Sequence, residues 1–252
     1  MLVIVNSLPK SGSTWFHNYV TRCLIAAGHS TVHEAVAGRP ITVNHRGNPG
    51  ALDGQNLCVL LDIGRDVTFA IKAHTPPNSD YLAALRDGAA KSLFLLRHPA
   101  DIARSALAYG EFCRAAGWDE PYADIFTAQQ AAEFIAPSIE WAEAWLARGP
   151  GFTLRYEALF ADDCTVRGAA HALSPEAAPF SAAILEEMRP QNLNREERDW
   201  LRVNLTRHPE LTPQVEARCA DWAHRIGYSQ PSWPSAVTPS APRKDVMPAA
   251  TK

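Results

Sequence analysis

The chain has 252 residues, of which 46% are hydrophobic and 20% are charged, and its formal net charge is -3. This composition is typical of one globular α/β domain and lacks the basic excess on which nucleic-acid binding depends. The five cysteines form no CxxC pair, which argues against a zinc site or a disulfide framework and favours a reducing compartment.

The first predicted element is a buried strand at Leu2–Ser7, a short run rich in β-branched residues. No basic residues precede it, and no stretch of the chain reaches the about 20 apolar residues of a membrane span. We therefore expect a cytoplasmic protein without a signal peptide or a membrane span. From Trp15 to Ala27 the apolar positions recur at helical spacing, and Gly28 ends the predicted helix.

The same alternation of strand and helix continues along the chain. Apolar runs predict strands at Thr68–Lys72, Ser92–Leu96 and Phe152–Arg155, and helical spacing predicts helices at Asp101–Tyr109 and Ala128–Ala147. Continuous apolar strands that alternate with helices indicate an α/β fold. Its central sheet is mostly parallel and is flanked by helices on both faces.

Two stretches lack this periodicity. Arg39–Gly54 is rich in Gly, Pro and Asn and is predicted to be a surface loop. Beyond about residue 230 the chain consists largely of Pro, Ser and Ala, with little to bury. We therefore predict a single domain over residues 1–229 and a disordered tail over residues 230–252.

Polar clusters follow all four predicted strands. They begin after Ser7, Ile71, Leu96 and Leu154. Because the carboxyl ends of parallel strands lie at one edge of a sheet, where ligands gather in open α/β folds, we expect the four clusters to converge.

The first cluster has the chemistry of a phosphate-binding loop. A loop between a strand and a helix presents unpaired N–H groups and the positive end of the helix dipole. Gly12 lets the backbone approach an anion, and Lys10 adds a charge. Hydroxyl donors come from Ser11, Ser13 and Thr14. Unlike GxxxxGK[ST], the lysine precedes the glycine, which suits a 5′-phosphate carrying one further group without a triphosphate-bound metal.

Four segments together resemble the sulfotransferases that use 3′-phosphoadenosine 5′-phosphosulfate (PAPS). Pro9–Trp15 resembles their 5′-phosphosulfate loop, and Leu96–Ser105 resembles their 3′-phosphate segment. Ile71–Pro76 is similar to their Lys-x-His strand end, and Arg155–Leu159 to their Tyr-Glu-x-Leu element. The resemblance covers roughly residues 2–160 and implies a P-loop-like sulfotransferase architecture.

The resemblance also implies how individual residues bind PAPS and its product PAP. Arg97 and Ser105 would hold the 3′-phosphate, for which the planar fork of arginine is suited. His98, beside Arg97, is expected to shape the turn. The remaining contacts, to the 5′-phosphate and the adenine, would come from Lys10, Ser13, Thr14, Trp15 and Tyr156.

His74 is the candidate general base, because the acceptor hydroxyl must lose a proton and imidazole titrates near neutrality. Lys72, two positions earlier on an extended chain, faces the same side. Lys10 and Lys72 would neutralise charge on the sulfuryl oxygens and on the departing bridging oxygen. Transfer would be direct and in line, without a metal or a covalent intermediate. Glu34, soon after the first helix, is the alternative base.

The sequence departs from the soluble members of this family at its C-terminal half. It lacks the Arg-Lys-Gly loop that closes the 3′-phosphate site in many of those members. Arg202 or Arg207 is therefore the candidate for the cation that closes this site, which we call the lid cation. The acceptor would be a hydroxyl of a small or glycosidic molecule. The segment before the predicted helix Ala128–Ala147 carries aromatic residues that favour an acceptor with an aromatic or sugar face. They are Trp118, Tyr122 and Phe126.

Two other functions remain open at this point. A P-loop kinase or NTPase would also explain the strand, loop and helix together with Arg97, but it predicts a GK[ST] sequence and a magnesium-binding Asp that are not visible. A catalytically inactive nucleotide-binding module would retain the site without turnover. The presence of Lys10, Lys72 and His74 together argues against it.

Overall fold

A computed structural model of the chain describes residues 1–148, 151–188 and 211–228. Its sheet has four strands, all parallel, in the order β2-β1-β3-β4. They are β1 Leu2–Ser7, β2 Phe69–Ala73, β3 Ala90–Leu96 and β4 Phe152–Arg155. The predicted parallel sheet is confirmed, and its strand boundaries shift only slightly. The predicted tail over residues 230–252 lies outside the described residues.

Helices connect the strands and cover both faces of the sheet. In chain order they are α1 Ser13–Ala26, α2 Val32–Ala35, α3 Gly54–Asp66, α4 Ser79–Arg86, α5 Pro99–Ala116, α6 Ala128–Arg148, α7 Ala158–Ala161, α8 Asp163–Leu173, α9 Ala178–Met188 and α10 Leu211–Arg225. Short 3-10 turns lie at Pro121–Asp124 and Pro175–Ala177. Among these described helices, none is both long enough and apolar enough to span a membrane.

The core lies in two layers, one on each face of the sheet. Along β1 every side chain is buried, and successive side chains point to opposite faces. Leu2 and Ile4 pack with α3, α5, α6 and α10, while Val3 and Val5 pack with α1, α8 and α9. This two-sided burial explains why the strands are continuous apolar runs and not alternating ones.

The strand order places a crevice at the carboxyl end of β1. β1 lies between β2 and β3, with Asn6 opposite Ala73 on one side and Ser7 opposite Leu95 on the other. The first connection therefore places β2 on one side of β1, and the next connection places β3 on the other side. Such a switch point opens the space in which α/β sheets bind ligands.

Helix α5 is longer than its predicted extent of Asp101–Tyr109. His98 caps it by accepting a hydrogen bond from the Ala100 N–H at 3.1 Å, as its predicted role in the turn requires. Pro99 occupies the first turn, where its missing N–H costs nothing, and Gly117 ends the helix at a φ of 67°. These local signals lie outside the apolar stripe from which the helix was predicted.

The contact between α3 and β1 leaves no room for a side chain at Gly64. A Cβ there would lie 2.9 Å from the backbone nitrogen of Leu2. We predict that Gly64→Ala lowers the free energy of unfolding by about 1–3 kcal/mol, since overpacking displaces backbone.

The matched control is Gly168→Ala on α8. A Cβ there would meet no atom within 4 Å. Because alanine has less freedom in the unfolded chain, this variant should gain about 0.4–1 kcal/mol. Denaturant unfolding of both variants measures the difference. Equal effects would show that α3 is not packed this closely against β1.

Candidate functional site

The loop after β1 presents a helix N-terminus that no side chain caps. Gly12, the residue before α1, has a φ of 80° and Lys10 a φ of 58°, so the loop is wound tightly. The first turn of α1 has no acidic residue and no side-chain cap. The N–H groups of this 14-residue helix and its dipole therefore favour an anion at this end.

Gly12 also brings the loop close to the segment after β4. A Cβ at this position would lie 2.7 Å from Leu159 Cδ1 and 3.0 Å from Tyr156 Cδ2. The predicted glycine is thus required twice, by its backbone conformation and by this close approach. The two serines beside Gly12, Ser11 and Ser13, are buried. The Ser11 hydroxyl donates to the Pro9 carbonyl at 3.4 Å, and Ser13 is the first residue of α1.

Arg97, at the end of β3, is held against this loop. Its Nη1 donates to the Lys10 carbonyl at 2.8 Å, and its guanidinium carbon lies 4.0 Å from the centre of the Tyr156 ring. Only 7% of the residue is exposed, and Nε is buried without a hydrogen-bond partner. A buried guanidinium N–H without an acceptor is costly, and a phosphate oxygen is the kind of acceptor that it fits.

Two other predicted nucleotide contacts are buried side chains of α5 and α1. Ser105 lies in the N-terminal part of α5, where every residue is buried, and is itself 4% exposed. Trp15 is buried in the first turn of α1, and its ring stacks on Tyr19 at 5.8 Å with an interplanar angle of 17°. The structure therefore gives Trp15 a packing role within α1, while its contact with adenine stays a prediction.

Lys72 reaches from β2 to the first turn of α1. Its Nζ donates to Thr14 Oγ1 at 3.1 Å, although the two residues lie far apart along the chain. Burial, and secondarily the positive charge of Arg46, lower the pKa of Lys72 to about 8. The side chain is therefore still mostly charged at neutral pH and lies where the 5′-phosphate was predicted.

His74 follows on the same side of the chain, and its ring is oriented by β1. Nδ1 lies 2.9 Å from the Ser7 carbonyl oxygen and 3.1 Å from the Ser7 hydroxyl oxygen. The hydroxyl can donate or accept, but the carbonyl can only accept, so the shorter contact assigns the proton to Nδ1. Nε2 is consequently the basic nitrogen. Burial, followed by the charge of Lys72, lowers the pKa of His74 to about 4. The imidazole is thus neutral at pH 7, which is the state that a general base needs.

Asn6 joins the ends of β1 and β2, a role that the sequence did not indicate. Its amide donates to the Thr75 carbonyl at 2.9 Å and accepts from the Thr75 N–H at 3.1 Å. The Trp145 indole donates to the same carbonyl at 3.0 Å. These bonds fix the backbone directly after His74, so the imidazole is attached to a segment that a buried polar network anchors.

Lys10 lies over two aromatic rings of other segments. Its Nζ lies 3.8 Å from the centre of the Tyr109 ring and 5.5 Å from that of Tyr122. The Tyr109 hydroxyl accepts a hydrogen bond from Arg46 Nη2 at 3.3 Å. Sequence reasoning missed Arg46 and Tyr109, because no motif connects a loop arginine with the middle of α5.

Tyr228, three residues beyond the end of α10, packs against the residue that follows Arg97. The Tyr228 ring meets His98 edge to face at 5.4 Å, and its hydroxyl donates to Glu157 at 3.1 Å. The Arg155 guanidinium carbon lies 4.5 Å from the Tyr228 ring centre. Tyr228 therefore contacts the turns after both β3 and β4. The predicted lid cations, Arg202 and Arg207, lie outside the described residues.

Glu34, the alternative base, forms part of the N-terminal cap of helix α2. Its carboxylate accepts from the Thr31 N–H at 2.8 Å and from the Thr31 hydroxyl at 2.9 Å, which completes a capping box at the start of α2. These hydrogen bonds lower the pKa of the exposed Glu34. A carboxylate that is tied down in this way is a poorer base than the oriented imidazole of His74.

Comparisons with known proteins concern the architecture. No protein-family model matches the chain, and no curated protein matches it significantly. The mouse sulfotransferase SULT7A1 complexed with PAP is similar in structure, with 16% identity and a TM-score of 0.41 over 73% of this chain. The sulfotransferase domain from the curacin biosynthetic pathway is 15% identical, with a TM-score of 0.35 over 69% of this chain and 75% of its own. The chain spans 63% of SULT7A1. Similarity at this level identifies neither an activity nor a substrate for this chain.

Gly12 gives a test of the loop geometry. We predict that Gly12→Ala lowers the free energy of unfolding by about 2–5 kcal/mol, because the positive φ and the contact with Leu159 both oppose a side chain. The control is Gly28→Ala, where φ is 85° but no atom lies within 4 Å of the added Cβ. The free energy of unfolding of this control should fall by about 1–2 kcal/mol, which is the cost of the backbone strain alone. Calorimetric unfolding compares them, and equal losses would contradict the close approach.

Proposed function

We propose that the chain is a sulfotransferase that moves the sulfuryl group of PAPS to an acceptor hydroxyl by direct in-line transfer. The observation that carries this proposal is the meeting of three strand ends at one loop. Lys72 bonds Thr14, Arg97 bonds the Lys10 carbonyl, and His74 is held by Ser7. Two cations and a neutral imidazole therefore contact the stretch from Ser7 to Thr14, which contains an uncapped helix N-terminus.

The nucleotide would bind along the crevice between β1 and β3. Its 5′-phosphosulfate would receive hydrogen bonds from the first turn of α1 and from Lys72. Its 3′-phosphate would accept from Arg97, whose buried Nε has no partner, with Ser105 as a second donor. Tyr156 and Trp15 are the proposed adenine contacts.

The chemistry would depend on the contrast between His74 and Lys72. Nε2 of His74 accepts the proton of the acceptor hydroxyl as its oxygen forms a bond to sulfur. The bond from sulfur to the bridging oxygen breaks, and its electron pair leaves with the 5′-phosphate of PAP. Lys72, still largely protonated at neutral pH, stabilises the charge that develops on that oxygen.

Nucleotide binding and turnover test the proposal separately. We predict that the protein binds adenosine 3′,5′-bisphosphate in calorimetric titration, and that Arg97→Ala weakens binding by about 10–100-fold, because a charge-assisted hydrogen bond is lost. His74→Ala should leave binding almost unchanged and lower turnover by about 10²–10⁴-fold with labelled PAPS and an acceptor screen.

The control for this experiment is Arg86→Ala, which removes an exposed positive charge at the end of α4. It should affect neither quantity. Wild-type protein that does not bind adenosine 3′,5′-bisphosphate contradicts the proposal. Magnesium-dependent transfer from ATP would identify a kinase or NTPase instead. Nucleotide binding without transfer to any acceptor would favour an inactive module.

The pH dependence of kcat/KM gives a second test. His74 acts when it is unprotonated, so kcat/KM should rise with pH through its lowered pKa of about 4. Lys72 acts when it is charged, so kcat/KM should fall as pH rises through about 8. Lys72→Arg should keep the charge and move this fall to higher pH, since arginine stays protonated. An unchanged alkaline limb in this variant would remove Lys72 from the assignment.

A further inference from the structure

Arg46 lies in a loop that is docked beside the proposed transfer site. The Asn44 side chain accepts from the N–H groups of Arg46 at 2.9 Å and Asn48 at 3.1 Å, which closes a tight turn. The next residue, Gly47, accepts from the Lys72 N–H at 3.0 Å. The loop thus extends the edge of β2 at the level of Lys72, and Arg46 is placed by backbone hydrogen bonds.

The Arg46 side chain is half-buried and has neutral partners. Nη2 donates to the Tyr109 hydroxyl at 3.3 Å, and Nε donates to His45 Nε2 at 3.1 Å. Within the described parts of the chain, no carboxylate lies within ion-pair distance of this guanidinium. Glu120 interacts with it only at longer range. Arg46 is therefore oriented by its contacts without being neutralised.

Three cations from separate segments meet around Tyr109 and Thr14. Lys10 lies on the face of the Tyr109 ring, Arg46 bonds its hydroxyl, and Lys72 bonds Thr14. Arg46 is the nearby charge that most disfavours the protonated form of Lys72. Neighbouring like charges repel each other, and an anion bound between these cations would be attracted by all three.

We propose that Arg46 is a third cation of the transfer site and donates to the terminal oxygens of the sulfuryl group. This inference rests on the proposed sulfotransferase function. Nη1 and the second N–H of Nη2 are the donors that its contacts with His45 and Tyr109 leave for this role. The oxygens of the sulfuryl group carry charge before, during and after transfer. A guanidinium donates to two of them, whereas an ammonium offers one point charge.

The test compares two ligands that differ in this group alone. PAPS carries the sulfuryl group, and adenosine 3′,5′-bisphosphate lacks it. Arg46→Ala is expected to weaken PAPS binding by about 10-fold and to change bisphosphate binding less than about 2-fold, as calorimetric titration measures. Arg46→Lys keeps the positive charge and should lose less, which gives a second readout if the alanine variant does not fold. Arg86→Ala, with the same loss of charge on α4, should bind both ligands as the wild type does.

Each outcome bears on a definite claim. A PAPS-to-bisphosphate affinity ratio that stays at the wild-type value in both Arg46 variants overturns the inference. An increased acceptor KM with that ratio unchanged also overturns it, because Arg46 would then hold an anionic acceptor. Wild-type protein that binds neither nucleotide overturns the sulfotransferase proposal itself, so the two failures are distinct.

Discussion

The burial of one guanidinium organises the site. Arg97 joins the turn after β3 to the loop after β1 through the Lys10 carbonyl, and to the segment after β4 through the Tyr156 ring. A buried cation costs several kcal/mol unless it is paired, and these two contacts are neutral. The fold keeps Arg97 in place with Nε unsatisfied, so an anion bound at this point would stabilise both the charge and the three segments that surround it.

Two neighbouring groups on the β2 side acquire different charge states in the same environment. Burial disfavours the protonated forms of both Lys72 and His74. Because lysine starts from a much higher pKa, it stays mostly charged at neutral pH, while the imidazole becomes neutral. Asn6 holds the chain beyond them through Thr75. One buried strand end thus provides a cation and a base side by side.

Much of the fold could be predicted, because it depends on local patterns. Continuous apolar runs predicted the four strands, and helical spacing predicted α1, α5 and α6. The residues of the strand ends followed from the same patterns, since parallel strands place their carboxyl ends at one edge. Boundaries such as the start of α5 were less accurate, because caps at His98 and Pro99 lie outside the apolar stripe.

By itself the sequence determined which residues reach the carboxyl edge of the sheet, including Lys72, His74 and Arg97. Periodicity and strand direction are local properties, and they are written in the order of the residues. Only the tertiary structure decided that Lys10 lies on Tyr109 while Arg46 comes beside Lys72. Those contacts join segments far apart in the chain, and no spacing rule relates a loop arginine to the face of a helix. The strand order and the packing of α5 bring them together.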